Sequence, residues 1–138
     1  MIYTPESWPE GRWRNFSWRE MACKHTDICD VDPDMMDTLQ LLRTDINAPI
    51  TISSGYRHPT HPVEAKKDKP GTHTTGKAVD IVCYGVKAHR VLELAARHWH
   101  GIGVKQHGPM PERFIHLDMV EAGEIEHIPR PFLFSYPA

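Results

Sequence analysis

Residues 73–83 read His73-Thr-Thr-Gly76-Lys-Ala-Val79-Asp80-Ile-Val-Cys83. From Val79 onward this stretch is apolar except for Asp80, and it predicts a short buried strand. A carboxylate is expensive to bury in such a strand unless it is paired or binds a cation. Gly76 permits a sharp turn, so that the loop before the strand can bring His73 back beside Asp80. The stretch therefore predicts a buried site that contains a histidine and an aspartate.

A second predicted strand, Phe114 to Met119, shows the same contrast. Its side chains alternate between two faces, so one face is wholly apolar and belongs to the core, while His116 and Asp118 point together to the other face. A satisfied His–Asp pair on an exposed face is the alternative interpretation. Two histidines and one aspartate suit zinc with a fourth position open for water. His73, Asp80 and His116 are therefore candidate ligands for one zinc ion per chain.

The remaining pattern predicts an α+β fold. Asp32-Pro33-Asp34 is a helix start, and apolar residues spaced at helical intervals continue the helix to near Asn47. A second helix is predicted at 86–99. Strands are predicted at 49–53 and 79–83, and 102–105 with 114–119 forms a hairpin, whereas 57–76 is a long loop. We expect a small, mostly antiparallel sheet with helices packed on one side and the zinc site in a cleft.

Composition limits the classes of function. The 138 residues carry a net charge of −2, so nucleic acid is not expected as a partner. No stretch approaches the roughly 20 apolar residues of a membrane span, and no signal peptide is visible at the start. We expect one domain over 1–138 that acts as a monomer and is made in a cytoplasm. Residues 1–20 are predicted to be an irregular lead-in whose aromatic residues pack on the domain, and 128–138 a proline-rich surface tail.

A hydrolytic zinc site requires further side chains. A carboxylate must take a proton from water and deliver it to the leaving amine, and a cation must stabilise the oxyanion or hold a substrate carboxylate. Arg57, just after the first strand, suits the cationic role. Asp118 points to the same side as His116 and is the first candidate for the base, and Glu112 in the hairpin loop is the second. Alternatively, Asp118 orients a ligand.

Taken in order, these motifs resemble the zinc D-alanyl-D-alanine carboxypeptidase family, above all its small phage endolysin-like subgroup, and the hedgehog-type metal site. The resemblance covers roughly residues 16–120. It is carried by the first helix and by four short motifs, which are Ser54-Gly-Tyr-Arg57, His73 to Asp80, Gly101-Ile-Gly103 and Phe114 to Asp118. It implies that His73, Asp80 and His116 are zinc ligands.

The resemblance also implies a substrate-binding role for Ser54, Tyr56 and Arg57. Many relatives have an acidic residue three positions before the last ligand, but Arg113 stands there in this chain. This departure leaves the assignment of the base to Asp118 or Glu112. The loop after Arg57 also departs from the family pattern. Because this loop lines the cleft in relatives, the departure affects which substrate the resemblance implies.

The cysteines offer one further possible metal site. Cys23, His25 and Cys29 lie close together in the sequence, but a structural zinc site needs four ligands and only three can be named. Reduced thiols packed near the first helix are the favoured interpretation.

Three functions are compatible with these residues. The leading one is a zinc peptidase that cuts peptidoglycan stem peptides or cross-links, as an endolysin does after its release to the cell wall. The second is a virion or structural module that binds zinc with little or no catalysis, which the arginine at position 113 favours. The third is a D-Ala-D-Ala carboxypeptidase or dipeptidase.

Overall fold

The longest helix begins and ends at the residues that the sequence predicts. The Asp32 side chain accepts a hydrogen bond from the backbone N–H of Met35 at 3.0 Å, and Pro33 occupies the first turn. The helix closes at Asn47, whose left-handed backbone (φ 53°) lets its N–H bond to the carbonyl of Arg43. The local signals at both ends therefore agree with the structure.

A computed structural model describes residues 1–138. Its helices are α1 (Trp18–Met21), α2 (Pro33–Ile46), α3 (Pro62–Ala65) and α4 (Gly85–Ala95), with single 3-10 turns at Thr72–Thr75 and Met110–Glu112. Its strands are β1 (Ile2–Tyr3), β2 (Cys29–Asp30), β3 (Thr51–Ser54), β4 (Ala78–Val82), β5 (Gly101–Lys105), β6 (Phe114–Asp118) and β7 (Phe132–Ser135). The predicted α+β class is confirmed, and the predicted hairpin is the antiparallel pair β5–β6.

Five strands form the main sheet, in the order β3-β4-β6-β5-β7. The first three pairings are antiparallel, and β7 joins β5 in parallel. One face of the sheet is apolar because every second residue of the central strands is buried and hydrophobic, as in Val79, Ile81, Ile115, Leu117 and Ile102. This face packs in one core with α2 and α4, and the opposite face is left to carry the site.

The lead-in packs as an aromatic cluster. The rings of Tyr3, Trp8 and Trp13 meet edge to face, with centroids 4.9 to 5.6 Å apart. The indole N–H of Trp13 donates to Asp37 on α2, and that of Trp8 donates to the Phe16 carbonyl. These contacts tie residues 1–20 to the helical side of the sheet.

The C-terminal segment, which the sequence predicts to be a proline-rich surface tail, contributes a strand to the main sheet. Phe132–Ser135 is the edge strand β7, and Gly101 and Gly103 of β5 are its partners in register. Pro131 and Pro137 flank the strand, a placement that an edge strand tolerates because its outer N–H groups need no partner. The sequence signal was weak because the strand has only four residues. None of the helices has the length and apolarity that a membrane crossing requires.

We expect Gly76→Ala to destabilise the protein more than Gly123→Ala. Both glycines have left-handed backbones, with φ of 74° and 80°, so both substitutions carry a steric cost of about 1–2 kcal/mol. Only at Gly76 would the new Cβ overlap another backbone, at the carbonyl of Asp30. Urea unfolding should therefore show a further loss of about 1–3 kcal/mol for Gly76→Ala. Equal free energies of unfolding would contradict this close approach.

Candidate metal centre

The pairing of β4 with β6 positions two of the predicted ligands. Asp80 and His116 are directly opposite each other in this antiparallel pair, so their side chains leave the same face as neighbours. His73 comes from the 3-10 turn Thr72–Thr75, and Gly76 ends that turn with a left-handed backbone. The fold thus brings together three side chains that the sequence separates by up to 43 positions, 73 to 116.

The three side chains converge on one carboxylate oxygen. Oδ1 of Asp80 lies 3.3 Å from Nε2 of His73 and 3.0 Å from Nδ1 of His116. All three residues are buried, with exposed fractions of 5%, 7% and 3% for His73, Asp80 and His116. Ligand atoms bound tetrahedrally at zinc distances of about 2.0–2.1 Å stand about 3.3 Å apart. The observed spacing is therefore close to that of a metal-ligand set, and the three side chains could hold a metal.

Outer hydrogen bonds orient both imidazoles. Nδ1 of His73 lies 2.8 Å from the carbonyl oxygen of Gly55, to which it can only donate. Nε2 of His116 lies 2.8 Å from Oδ2 of Asp118. Nε2 of His73 and Nδ1 of His116 are then the nitrogens that face Asp80, and a metal bound here would take their lone pairs.

Asp118 is fully buried and its carboxylate is saturated with donors. Arg130 donates through Nε to Oδ1 at 2.9 Å and through Nη2 to Oδ2 at 2.7 Å. The backbone N–H of Val120 also donates to Oδ1, and His116 donates to Oδ2. Burial would raise the pKa of Asp118, but the bonds from His116 and Arg130 outweigh it and lower the pKa to about 2.

Burial and hydrogen bonding also have opposite effects on the pKa values of Asp80 and His116. Burial by itself would raise the pKa of Asp80, yet hydrogen bonds from His116 and His73 hold that pKa well below its usual value. Burial would lower the pKa of His116, but its bonds to Asp118 and Asp80 raise it instead. Asp80 is consequently held as a buried anion, which is the form that binds a cation.

Two glycines of β5 make room on this face. A Cβ at Gly101 would overlap the Asp118 carboxylate, and one at Gly103 would overlap the ring of Phe134. Gly103 is paired with His116 in register, so the absent side chain is what lets Phe134 lie beside His116, with ring centroids 5.6 Å apart. The Gly101-Ile-Gly103 motif is thus a spatial requirement of the site.

A cleft of about 500 Å³ opens over the three candidate ligands. Aromatic side chains of β6 and of the C-terminal segment form one wall, namely Phe114, Phe132, Phe134 and Tyr136. Arg57, Lys67 and Arg130 contribute positive charge, and Asp80 is the single carboxylate among the lining residues. Aromatic and basic side chains therefore both line the cleft.

A sequence model of the family described as Peptidase M15 matches residues 14–118 of the chain, which is most of its length. The chain belongs to the peptidase M15 family. No curated protein and no solved structure matches it. Peptidases of the M15 family are metallopeptidases, in agreement with a His–Asp–His centre that could hold a metal.

The other predicted site residues of this M15 family member lie at different distances from the centre. Arg57 lines the cleft, with Nη2 3.9 Å from Oδ2 of Asp80. Ser54 and Tyr56 line a smaller neighbouring cavity of about 110 Å³. Glu112 is exposed on the turn Met110–Glu112 and is not among the residues that line the cleft.

A buried carboxylate that the sequence analysis missed supports Arg57. Glu64 on α3 has a side chain only 1% exposed, and its Oε2 lies 3.4 Å from Nη1 of Arg57 and 2.8 Å from Nζ of Lys67. The backbone N–H of Gly71 donates to its other oxygen at 3.0 Å. Glu64 thus links the start and the end of the loop that carries His73.

The cysteines do not form a second centre. Cys23 and Cys29 are buried and free, as is Cys83, whereas His25 is exposed. The metal-ligating side chains that gather within 4.8 Å of one another are His73, Asp80 and His116 alone. Burial raises the pKa of Cys29 to about 12, so its thiol stays protonated and packs as a core residue.

We expect Glu64→Gln to lower the free energy of unfolding by about 1–3 kcal/mol at pH 7, because buried donors lose their charged partner. Burial would raise the pKa of Glu64, but Lys67 and the Gly71 N–H outweigh it and lower this pKa. A lowered folded-state pKa gives stability above the unfolded value that is lost as the pH falls. The difference between wild type and variant should therefore shrink below about pH 4.5.

Urea unfolding at a series of pH values measures this difference. Glu93→Gln is the matched control, because Glu93 is exposed on α4 and should change stability by less than about 0.5 kcal/mol. A difference for Glu64→Gln that stayed constant from pH 7 to pH 3 would contradict a charged Glu64 in the folded protein.

Proposed function

We propose that this chain is a zinc peptidase that hydrolyses peptide bonds in peptidoglycan stem peptides or cross-links. The observation that carries the proposal is the buried convergence of His73, Asp80 and His116, in which the outer nitrogen of each imidazole also has a hydrogen-bond partner. Membership of a metallopeptidase family supports it. An endolysin-like role on the cell wall, after release or as part of a virion, is the corresponding biological setting.

The donor set suits zinc in particular. Two imidazole nitrogens and one carboxylate oxygen, with a fourth position left open, are the ligands of many catalytic zinc sites. Zinc in this place would polarise the scissile carbonyl and lower the pKa of a water molecule. The residues around the centre contribute orientation, through Gly55 and Asp118, and exclusion of bulk water, through the aromatic wall.

Arg57 is proposed to bind the substrate. Its side chain is 20% exposed and lies between the buried Glu64 and Asp80, so it faces the cleft from a fixed position. A guanidinium so placed can hold a substrate carboxylate or a developing oxyanion. Stem peptides carry free carboxylates, and the guanidinium of Arg57 in the cleft could pair with one of them. Ser54 and Tyr56, which line the adjoining cavity, are proposed to extend this binding region.

Asp118 and Glu112 are the two candidates for the base. An orienting role for Asp118 is supported by its complete burial and by the donors that occupy both of its oxygens. We therefore propose that Asp118 holds His116 in place. Glu112, the second candidate, lies on an exposed turn outside the cleft lining and would have to approach the centre to act as the base.

Metal analysis provides the first test. We expect about one zinc per chain in the wild type. The variant His116→Ala should lose zinc affinity by more than about 100-fold, since even the outer partners of a ligand are worth 10–100-fold. His89→Ala is the control, because His89 is exposed on α4 and should not alter occupancy. Full zinc occupancy in His116→Ala would overturn the ligand assignment.

Digestion of purified peptidoglycan, followed by mass spectrometry, tests the substrate. The zinc-loaded wild type is expected to release stem-peptide fragments, and the fragment masses would identify the bond. Arg57→Ala should reduce the rate by about 10²–10³-fold while zinc binding is retained. Release of free D-alanine alone would indicate a carboxypeptidase or dipeptidase. Zinc binding without any cleavage would favour a structural module and contradict the proposed activity.

A further inference from the structure

We propose that Arg130, in the C-terminal segment, is a positioning residue of the metal centre. It fixes the carboxylate of Asp118, and this carboxylate fixes the imidazole of His116 with Nδ1 toward Asp80. The inference rests on the proposed zinc site. It adds a residue that lies beyond the segment 14–118 matched by the family model.

Arg130 and Asp118 form a bidentate ion pair. Two guanidinium nitrogens bond to the two carboxylate oxygens at 2.9 and 2.7 Å, which determines the plane of the carboxylate as well as its position. The side chain of Arg130 is 4% exposed and that of Asp118 is fully buried. Water therefore has little access to compete for these bonds, and a buried ion pair of this kind resists being broken.

The orientation of His116 depends on the ion pair between Arg130 and Asp118. Oδ2 of Asp118 is shared between Nη2 of Arg130 and Nε2 of His116, at 2.7 and 2.8 Å. Rotation of the imidazole about its Cβ–Cγ bond would carry Nδ1 away from Asp80 and Nε2 away from Asp118. The fixed acceptor disfavours that rotation, so the ring already directs its Nδ1 toward the centre before any metal arrives.

The surrounding backbone is built to admit Arg130. A side chain on Gly101 would overlap the Asp118 carboxylate and crowd the guanidinium, so the glycine leaves space for the pair. The N–H of Phe132 donates to the His100 carbonyl at 2.9 Å, and this bond anchors the segment two residues after Arg130. The guanidinium also lies 6.0 Å from the ring centroid of Phe134. The side chain is thus held on several sides.

A second arginine in the chain provides a matched control. Arg12 forms the same two-bond contact with Asp37, at 2.8 and 2.7 Å. That pair is about half exposed and belongs to the lead-in and α2, which lie on the other side of the sheet from the cleft. Arg12→Met therefore removes a contact with the same bonding pattern, in an exposed position, without touching the centre.

Competition with a chromophoric chelator measures zinc affinity in wild type, Arg130→Met, Arg130→Lys and Arg12→Met. We expect Arg130→Met to weaken zinc binding by about 10–100-fold, the effect of losing an outer partner of a ligand. Arg130→Lys keeps the charge but not the planar fork, so a loss of about tenfold, the low end of that range, is expected. Arg12→Met should stay within about twofold of wild type.

Imidazole ¹⁵N NMR of the zinc-loaded proteins gives a readout that a general loss of stability would not change. In wild type, Nε2 of His116 should be protonated and Nδ1 unprotonated, whereas the Arg130 variants should show a mixture of ring states. If Arg130→Met does not fold, Arg130→Lys carries both measurements.

The outcomes separate this inference from the proposed function. Zinc affinity within twofold of wild type in the Arg130 variants, with unchanged His116 signals, would overturn the role of Arg130 and leave the zinc site standing. An equal loss in Arg12→Met would overturn it as well, since the effect would then not depend on the contact between Arg130 and Asp118. Failure of the wild type to bind zinc would overturn the site and this inference together.

Discussion

A carboxylate buried between two apolar strands is the constraint around which the rest of the structure is arranged. Asp80 is 7% exposed, and an ion of this size loses several kcal/mol of hydration when it is buried. Its compensation comes from His73, His116 and Arg57, which arrive from a turn, a paired strand and a loop. Each of these segments must therefore be placed accurately for Asp80 to be tolerated, and the same placement creates the candidate metal centre.

The two faces of the main sheet have different roles. One face supplies the core, and the other supplies Asp80, His116 and Asp118, from residues that occupy every second position of β4 and β6. Because the two faces share one backbone, a shift of register would remove the ligands and the core residues at once. The glycines of β5 complete the arrangement, since they leave open the space that Asp118 and Phe134 fill.

Elements that are marked by a local sequence pattern could be predicted from the sequence. The bounds of α2 and the central strands follow from caps and alternation, and polar residues in apolar strands, together with the family resemblance, indicated the gathering of His73, Asp80 and His116. The pairing of Arg130 with Asp118 could not be predicted, because an arginine between two prolines carries no periodic signal and its partner lies across a turn-rich segment. The same holds for Glu64, whose burial depends on how the loop folds over it.

The contact between Arg130 and Asp118 also explains why the C-terminal segment contributes to the cleft. In a strand, alternate residues share a face, so Phe132 and Phe134 reach the cleft only if β7 enters in one particular register. Arg130 enters two residues before Phe132 and is locked to the buried Asp118. A slip by one residue would pull the guanidinium from its partner and turn Leu133 inward in place of the aromatic pair. One ion pair therefore sets both the orientation of His116 and the wall that a substrate would meet.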